Sequence, residues 1–207
     1  ITKSIADPSG GGSIYDVWRA RSNVAAGAEP AMGDPGGGSD FAGFYNHLGI
    51  PHSDWGFGGA GGIYHSNFDS YTFMEKFADP SYRYHAAAAR IGTAMMMRLA
   101  NADVLPYDYV EFARTMRTYL APIDRNLSAK GWSGSSAPLA AAIDRMERAA
   151  VAFGSARDQA LARGLSRAQQ LATNGALLKV ERAMTRPEGL RTRPWYRNLI
   201  YVADVDN

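Results

Sequence analysis

The second part of this sequence carries apolar residues at helical spacing in four successive stretches. The first stretch, residues 84–99, places them three or four positions apart, which is typical of the buried face of an α-helix. Similar stripes run over residues 112–127 and 139–153, and a fourth ends near Met184. Four amphipathic helices joined by modest connections predict an all-α helical bundle. We therefore expect a chain that is mostly α overall.

Local signals divide these helices. Pro122 lies inside the second stripe and should kink or end that helix. Ser166 with Gln169 fits a capping box, which predicts where the fourth helix begins. Residues 186–197 contain two prolines and a glycine, so they cannot be helical throughout. Residues 199–202 then predict a short strand or extended segment.

The first eighty residues have a different composition. They hold 15 of the 22 glycines, with 4 basic and 9 acidic side chains, whereas residues 81–207 hold 18 basic and 11 acidic ones. Two differently built parts are therefore expected, with a join near residues 79 and 80. We predict an α/β part over residues 1–80 and a helical domain over residues 81–207.

Short elements and turns alternate within residues 1–80. Ser13 could cap a short helix, and Ser39 or Asp40 a second one that Gly49 would end. A short strand is expected within residues 50–57, before a glycine-rich loop. The order of helix, glycine, strand and glycine-rich loop is typical of an α/β domain.

Composition excludes several classes of protein and site. The chain has no cysteine, so a metal site would have to use histidine and carboxylate ligands. No apolar run approaches the roughly 20 residues that cross a bilayer, and the first residues do not resemble a signal peptide. The basic residues alternate with acidic ones, as in residues 144–148. This pattern indicates a solvated helix face, so we expect no nucleic-acid partner.

One run, residues 61–71, places His65 directly after the glycine-rich loop and before an apparent helix start. This position suits a metal ligand, because the loop allows close approach and the helix fixes the side chain. A lone histidine is more often a structural one, so the residues alone leave both interpretations open. His47, His52 and His85 lack metal-like spacing and are predicted to be surface or core residues.

Three strings carry a family resemblance. They are Gly38-Ser39-Asp40-Phe41; the run Tyr64-His65-Ser66-Asn67-Phe68-Asp69-Ser70-Tyr71; and Arg193-Pro194-Trp195-Tyr196-Arg197 with Glu181-Arg182-Ala183 before it. In this order they resemble the glutamate carboxypeptidase and transferrin receptor group of co-catalytic zinc peptidases. The resemblance covers nearly the whole chain.

The resemblance implies the C-terminal part of a zinc-peptidase α/β/α domain over residues 1–80 and a transferrin receptor-like dimerisation domain over residues 81–207. Family members use two zinc ions and a bridging hydroxide. Of their ligands only His65 has a match here, and the other ligands and the general base are expected outside this sequence. Tyr64 corresponds to an oxyanion-stabilising phenol, and Gly38 and Ser39 to substrate contacts. A packed aromatic and a capped glycine turn remain the alternatives for these positions.

The function implied is that of a fragment of a dizinc exopeptidase that hydrolyses peptides or dipeptides and forms a homodimer. The isolated chain should be inactive, because one histidine cannot hold two zinc ions. The alternatives are a non-catalytic binding and dimerisation protein like the transferrin receptor, and a purely structural helical module. Asp54-Trp55-Gly56 stands where glutamate-selective members have an arginine patch, which does not support acidic selectivity. Analogy suggests a periplasmic or secreted location.

Overall fold

The computed structural model describes residues 1–34, 39–59 and 62–201. These residues form seven α-helices, which are α1 Ile14–Arg21, α2 Tyr71–Phe73, α3 Arg83–Ala100, α4 Tyr109–Thr118, α5 Leu120–Ala129, α6 Ala137–Arg163 and α7 Arg167–Ala183. A 3₁₀ turn at Thr2–Ser4 and π-helical turns at Gly43–His47 and Met74–Ala78 complete the helical elements. The expectation of a mostly α-helical chain is confirmed.

The expected strands are absent from the described residues. Residues 50–59 are irregular, and the pairing found within residues 1–34, 39–59 and 62–201 consists of isolated bridges such as Thr185 with Asn198. The prediction of a strand within residues 50–57 is therefore wrong. The indole Nε1 of Trp55 instead donates to the carbonyl of Ala88 on α3 at 3.1 Å. Residues 50–59 are therefore attached to α3 by the Trp55 side chain and not by backbone pairing with a strand.

The caps predicted at Ser13 and at Ser166 are both confirmed. Ser13 and Asp16 cap α1 reciprocally, with N–H to oxygen distances of 3.2 and 2.8 Å. Ser166 and Gln169 do the same for α7. The cap predicted at Ser39 or Asp40 is wrong, since the turn Gly43–His47 begins after Ala42 without a side-chain cap. A single serine or aspartate, without the reciprocal partner, is a weaker signal.

The chain divides into two compact units, Ile1–Gly36 with His52–Asn101 and Gly37–Pro51 with Ala102–Asn207. In the first unit, Ile5 and Ile14 pack with Ala87 and Ile91 of α3. This core joins the N-terminal segment to the longest helix of the unit. These compact units differ from the two domains predicted from the sequence, residues 1–80 and 81–207. The predicted boundary describes domains of the family, and it stays a prediction.

The second unit is built on the packing of α4 against α6. Ala113 and Met116 bury their side chains against Ile143. Arg117 reinforces this contact with two ion pairs, 2.5 Å to Asp144 and 2.8 Å to Glu147. The boundary between α4 and α5 falls at Tyr119, so Pro122 lies in the first turn of α5. The missing N–H of a proline costs little at that position.

Candidate functional site

The loop that precedes α2 carries Tyr64 and His65. Ser66 shapes it, since its N–H and its hydroxyl both donate to the carbonyl of Ile63, at 3.0 and 2.7 Å. The Ser66 hydroxyl in turn accepts the N–H of Phe68 at 3.2 Å. Ser70 then caps α2 by accepting the N–H of Phe73. The histidine is therefore presented from a hydrogen-bonded turn followed by a capped helix.

His65 has a backbone conformation that is uncommon for a side-chain-bearing residue. Its φ is +57°, in the left-handed region that costs an L-residue about 1–2 kcal/mol. Its ring stacks on that of Tyr64, with centroids 3.8 Å apart. Both residues are exposed, Tyr64 to 75%. The turn thus presents an imidazole and a phenol side by side, which are able to bind a cation and to donate a hydrogen bond.

His65 does not form a complete metal site with its neighbours. Within residues 1–34, 39–59 and 62–201, no group of three or more histidine and carboxylate side chains could hold a metal ion. Zinc sites use at least three protein ligands. The described residues therefore do not form a zinc site by themselves.

Ser39 lies in the second unit, at the start of a segment that leads into the turn Gly43–His47. Its carbonyl accepts the N–H of Ala42 at 3.0 Å, and its side chain is exposed. Gly38, the other predicted substrate contact, lies outside the described residues. The structure brings Tyr64 and His65 together within one unit, and Ser39 belongs to the other.

A histidine–carboxylate pair in the first unit was missed by the sequence reasoning. Asp79, only 6% exposed, accepts the N–H groups of Arg83, Tyr84 and His85 at 3.0 Å each. It also accepts Nδ1 of His85 at 2.7 Å. Burial opposes ionisation of Asp79, but these four hydrogen bonds outweigh it and lower its pKa. The carboxylate thereby anchors the start of α3; an Asp-Pro pair just before a helix was the available signal.

A second missed cluster joins the turn Gly43–His47 to residues 195–201, and we call it the tail clasp. The carbonyl of Asn46 accepts the N–H groups of Arg197 and Asn198, at 3.1 and 2.9 Å. Nδ1 of His47 donates to the carbonyl of Trp195 at 2.6 Å. The Tyr196 hydroxyl lies 3.4 Å from Oδ1 of Asn46 and donates to the carbonyl of Tyr201 at 2.5 Å.

The clasp is buried and extends onto α7. Asn46, Tyr196 and Asn198 are 5%, 2% and 2% exposed. The Tyr45 hydroxyl hydrogen-bonds Glu181 of α7 and Asn198. Burial raises the pKa of Glu181, and the hydrogen bond from Tyr45 only partly opposes this. The string of residues 193–197 was part of the family resemblance, but no sequence pattern indicated its partner, because residues 46 and 196 are 150 positions apart.

Comparison with known proteins shows which family this sequence resembles. Residues 135–207 match the transferrin receptor-like dimerisation domain. The chain is 33% identical over 189 residues to the probable glutamate carboxypeptidase LAMP1 of Arabidopsis thaliana, covering 91% of this chain and 26% of the relative. It is 29% identical over 218 residues to the aminopeptidase NAALADL1 of Rattus norvegicus, covering 99% and 29%. The chain belongs to the glutamate carboxypeptidase and transferrin receptor-like family.

Membership of this family confirms the resemblance drawn from the three strings. A further relative, the probable glutamate carboxypeptidase VP8 of Zea mays, is 31% identical over 212 residues, covering all of this chain and 29% of its own. The chain thus spans about a quarter to a third of the length of these curated relatives. The tail clasp joins the turn Gly43–His47 to residues within the matched dimerisation domain. None of the helices among the described residues is long and apolar enough to cross a membrane.

Proposed function

We propose that this chain contributes one zinc ligand and one oxyanion-stabilising group to a dizinc exopeptidase that hydrolyses peptides or dipeptides. The observation that carries the proposal is the Tyr64–His65 turn. A left-handed backbone at a histidine costs stability, and such strain clusters at functional sites. The relatives named aminopeptidase and glutamate carboxypeptidase support the reaction class.

The roles follow from the side chains. His65 would supply an imidazole nitrogen to one zinc ion, and the remaining ligands would come from other parts of the protein. The Tyr64 phenol donates a hydrogen bond to the oxygen that becomes negative when the scissile carbonyl is attacked. Gly38 and Ser39 contact the peptide substrate. When bound, a zinc pair polarises the carbonyl and lowers the pKa of water.

The decisive variant is His65→Asn, because asparagine tolerates the left-handed region and so preserves the loop. In the native-length protein we expect the zinc content to fall from about two per chain, and peptidase activity to fall by roughly a hundredfold or more. Elemental analysis and a peptide substrate screen measure these quantities. Full zinc and full activity in His65→Asn would overturn the role of His65. A native-length wild type without zinc would instead favour a non-catalytic, transferrin receptor-like protein.

Tyr64→Phe separates the phenol from the metal ligand. Removal of one oxyanion donor typically lowers kcat by about 10²–10³, whereas the zinc content should stay at the wild-type value. A wild-type kcat in Tyr64→Phe would assign Tyr64 to packing or surface contact alone.

We further propose that the native-length protein is a homodimer. The matched domain is described as a dimerisation domain. Leu171 and Leu178, seven residues apart on one side of α7, are 57% and 44% exposed, and exposed apolar surface of this kind favours an interface. Light scattering should give twice the chain mass, and a strictly monomeric mass would contradict this proposal.

A further inference from the structure

We infer that the tail clasp positions the substrate-contacting segment, so that residues 195–201 of the dimerisation domain act on substrate affinity without touching the substrate. The inference rests on the proposed role of Ser39 as a substrate contact. It assigns Asn46, Tyr196 and Asn198 as positioning residues.

A chain of turns connects Ser39 to the tail clasp. Residues 39–49 are a continuous series of turns, in which Ala42 donates to Ser39, Tyr45 to Phe41 and Gly49 to Tyr45, at 2.9 to 3.1 Å. The segment has no strand partner and no side-chain cap at the turn Gly43–His47. Its own hydrogen bonds span only short separations in sequence, and short helical pieces of this kind are marginal alone. Its conformation therefore depends on what holds its far end.

Hydrogen bonds to residues 195–198 fix the far end of this segment. The carbonyl of Asn46 accepts the N–H groups of Arg197 and Asn198, and His47 donates to the carbonyl of Trp195. The Tyr196 hydroxyl also lies 3.4 Å from Oδ1 of Asn46. These groups are mostly buried, and buried polar groups that lose a partner are costly. Buried hydrogen bonds of this kind rigidify the chain around them.

Gly49 approaches the end of α7 closely. Gly49 has a φ of +62°, and a Cβ there would lie 3.0 Å from both Cα of Arg182 and Cγ2 of Thr185. The end of the segment is thus pressed against the last turn of α7 while its middle is hydrogen-bonded to the tail. Ser39 is left at the exposed end of a segment fixed at its other end.

Tyr196→Phe tests the inference, with Tyr109→Phe as its matched control. Both variants remove a hydroxyl that donates to a backbone carbonyl in the second unit, from Tyr196 to Tyr201 and from Tyr109 to Leu177. Only Tyr196 also approaches Asn46. The first readout is amide hydrogen exchange of residues 39–51. The second is KM and kcat of the native-length protein on a peptide substrate identified for the wild type.

We expect exchange in residues 39–51 to quicken several-fold in Tyr196→Phe and to stay at the wild-type rate in Tyr109→Phe. KM should rise several-fold in Tyr196→Phe alone, with kcat little changed. If the amide exchange rates of residues 39–51 are equal in the two variants, the inference is overturned, whatever the values of KM and kcat. Faster exchange in Tyr196→Phe with an unchanged KM would mean that the tail clasp stabilises residues 39–51 but does not affect substrate binding. That result would overturn the proposed role of Ser39 as a substrate contact.

Discussion

Gly189 lies in a tight turn where any side chain should lower the free energy of unfolding. Its φ is +69°, and a Cβ built on it would lie 2.0 Å from the carbonyl oxygen of Pro194, well below the 3.0 Å that Cβ atoms respect. The turn between these residues is closed by two donors, with Leu190 N–H reaching Tyr196 at 2.9 Å and Arg193 N–H reaching Leu190 at 2.9 Å. Alanine at this position must open the turn.

The cost of Gly189→Ala has two parts. The left-handed backbone costs alanine about 1 kcal/mol. Moving Pro194 away by the missing ångström breaks the two closing hydrogen bonds, at about 1 kcal/mol each. The free energy of unfolding should therefore fall by about 3 kcal/mol.

Gly131→Ala is the matched control, because Gly131 has a φ of +63° and no atom within 4 Å of its virtual Cβ. It should lose only the backbone part, about 1 kcal/mol. Urea unfolding of the wild type and both variants, at an unchanged slope against denaturant, measures the difference. We expect Gly189→Ala to be about 2 kcal/mol less stable than the control. Agreement of the two variants within about 0.5 kcal/mol would refute the argument that the Gly189 turn is closed by contact.

Two further predictions concern pH and have opposite signs. The raised pKa of Glu181 means that its stabilising form is the protonated one, so its contribution is greatest below about pH 4.5 and is lost as the pH rises through the folded pKa. Glu181→Gln should therefore raise Tm at pH 7, by a margin that shrinks towards pH 4; a lower Tm at pH 7 would contradict this. The lowered pKa of Asp79 means that its contribution is present above about pH 3.8 and is lost as the pH falls through the folded pKa. Asp79→Asn should lower Tm at pH 7 and approach the wild type below pH 3.8, as thermal scans across this range will test; a constant difference would contradict it.

Periodicity and capping boxes predicted the helices well, because these signals are local. The stripes and the Ser166–Gln169 box correspond to α3, α6 and α7, and the Ser13 cap to α1. The strand expected in residues 50–57 failed because Trp55 finds its partner on α3, which no local pattern encodes.

In the candidate site, too, only the residues of a local motif could be predicted from the sequence. Tyr64 and His65 are adjacent in sequence, so one motif could find both. The Asp79–His85 pair is local, but its only signal was the Asp-Pro pair before α3. The tail clasp joins Asn46 to Tyr196, 150 residues away, and no sequence pattern indicates that these two residues meet.

The left-handed turn at His65 has a consequence for laboratory evolution. Glycine and asparagine occupy such a backbone at lower cost than histidine does. A library randomised at this position and screened only for heat tolerance should therefore discard the imidazole, and one screened for turnover should restore it. If both screens select the same residue at position 65, His65 has only a structural role. If they select different residues, the difference in thermal stability between the two selected variants measures the cost of keeping an exposed imidazole at this position.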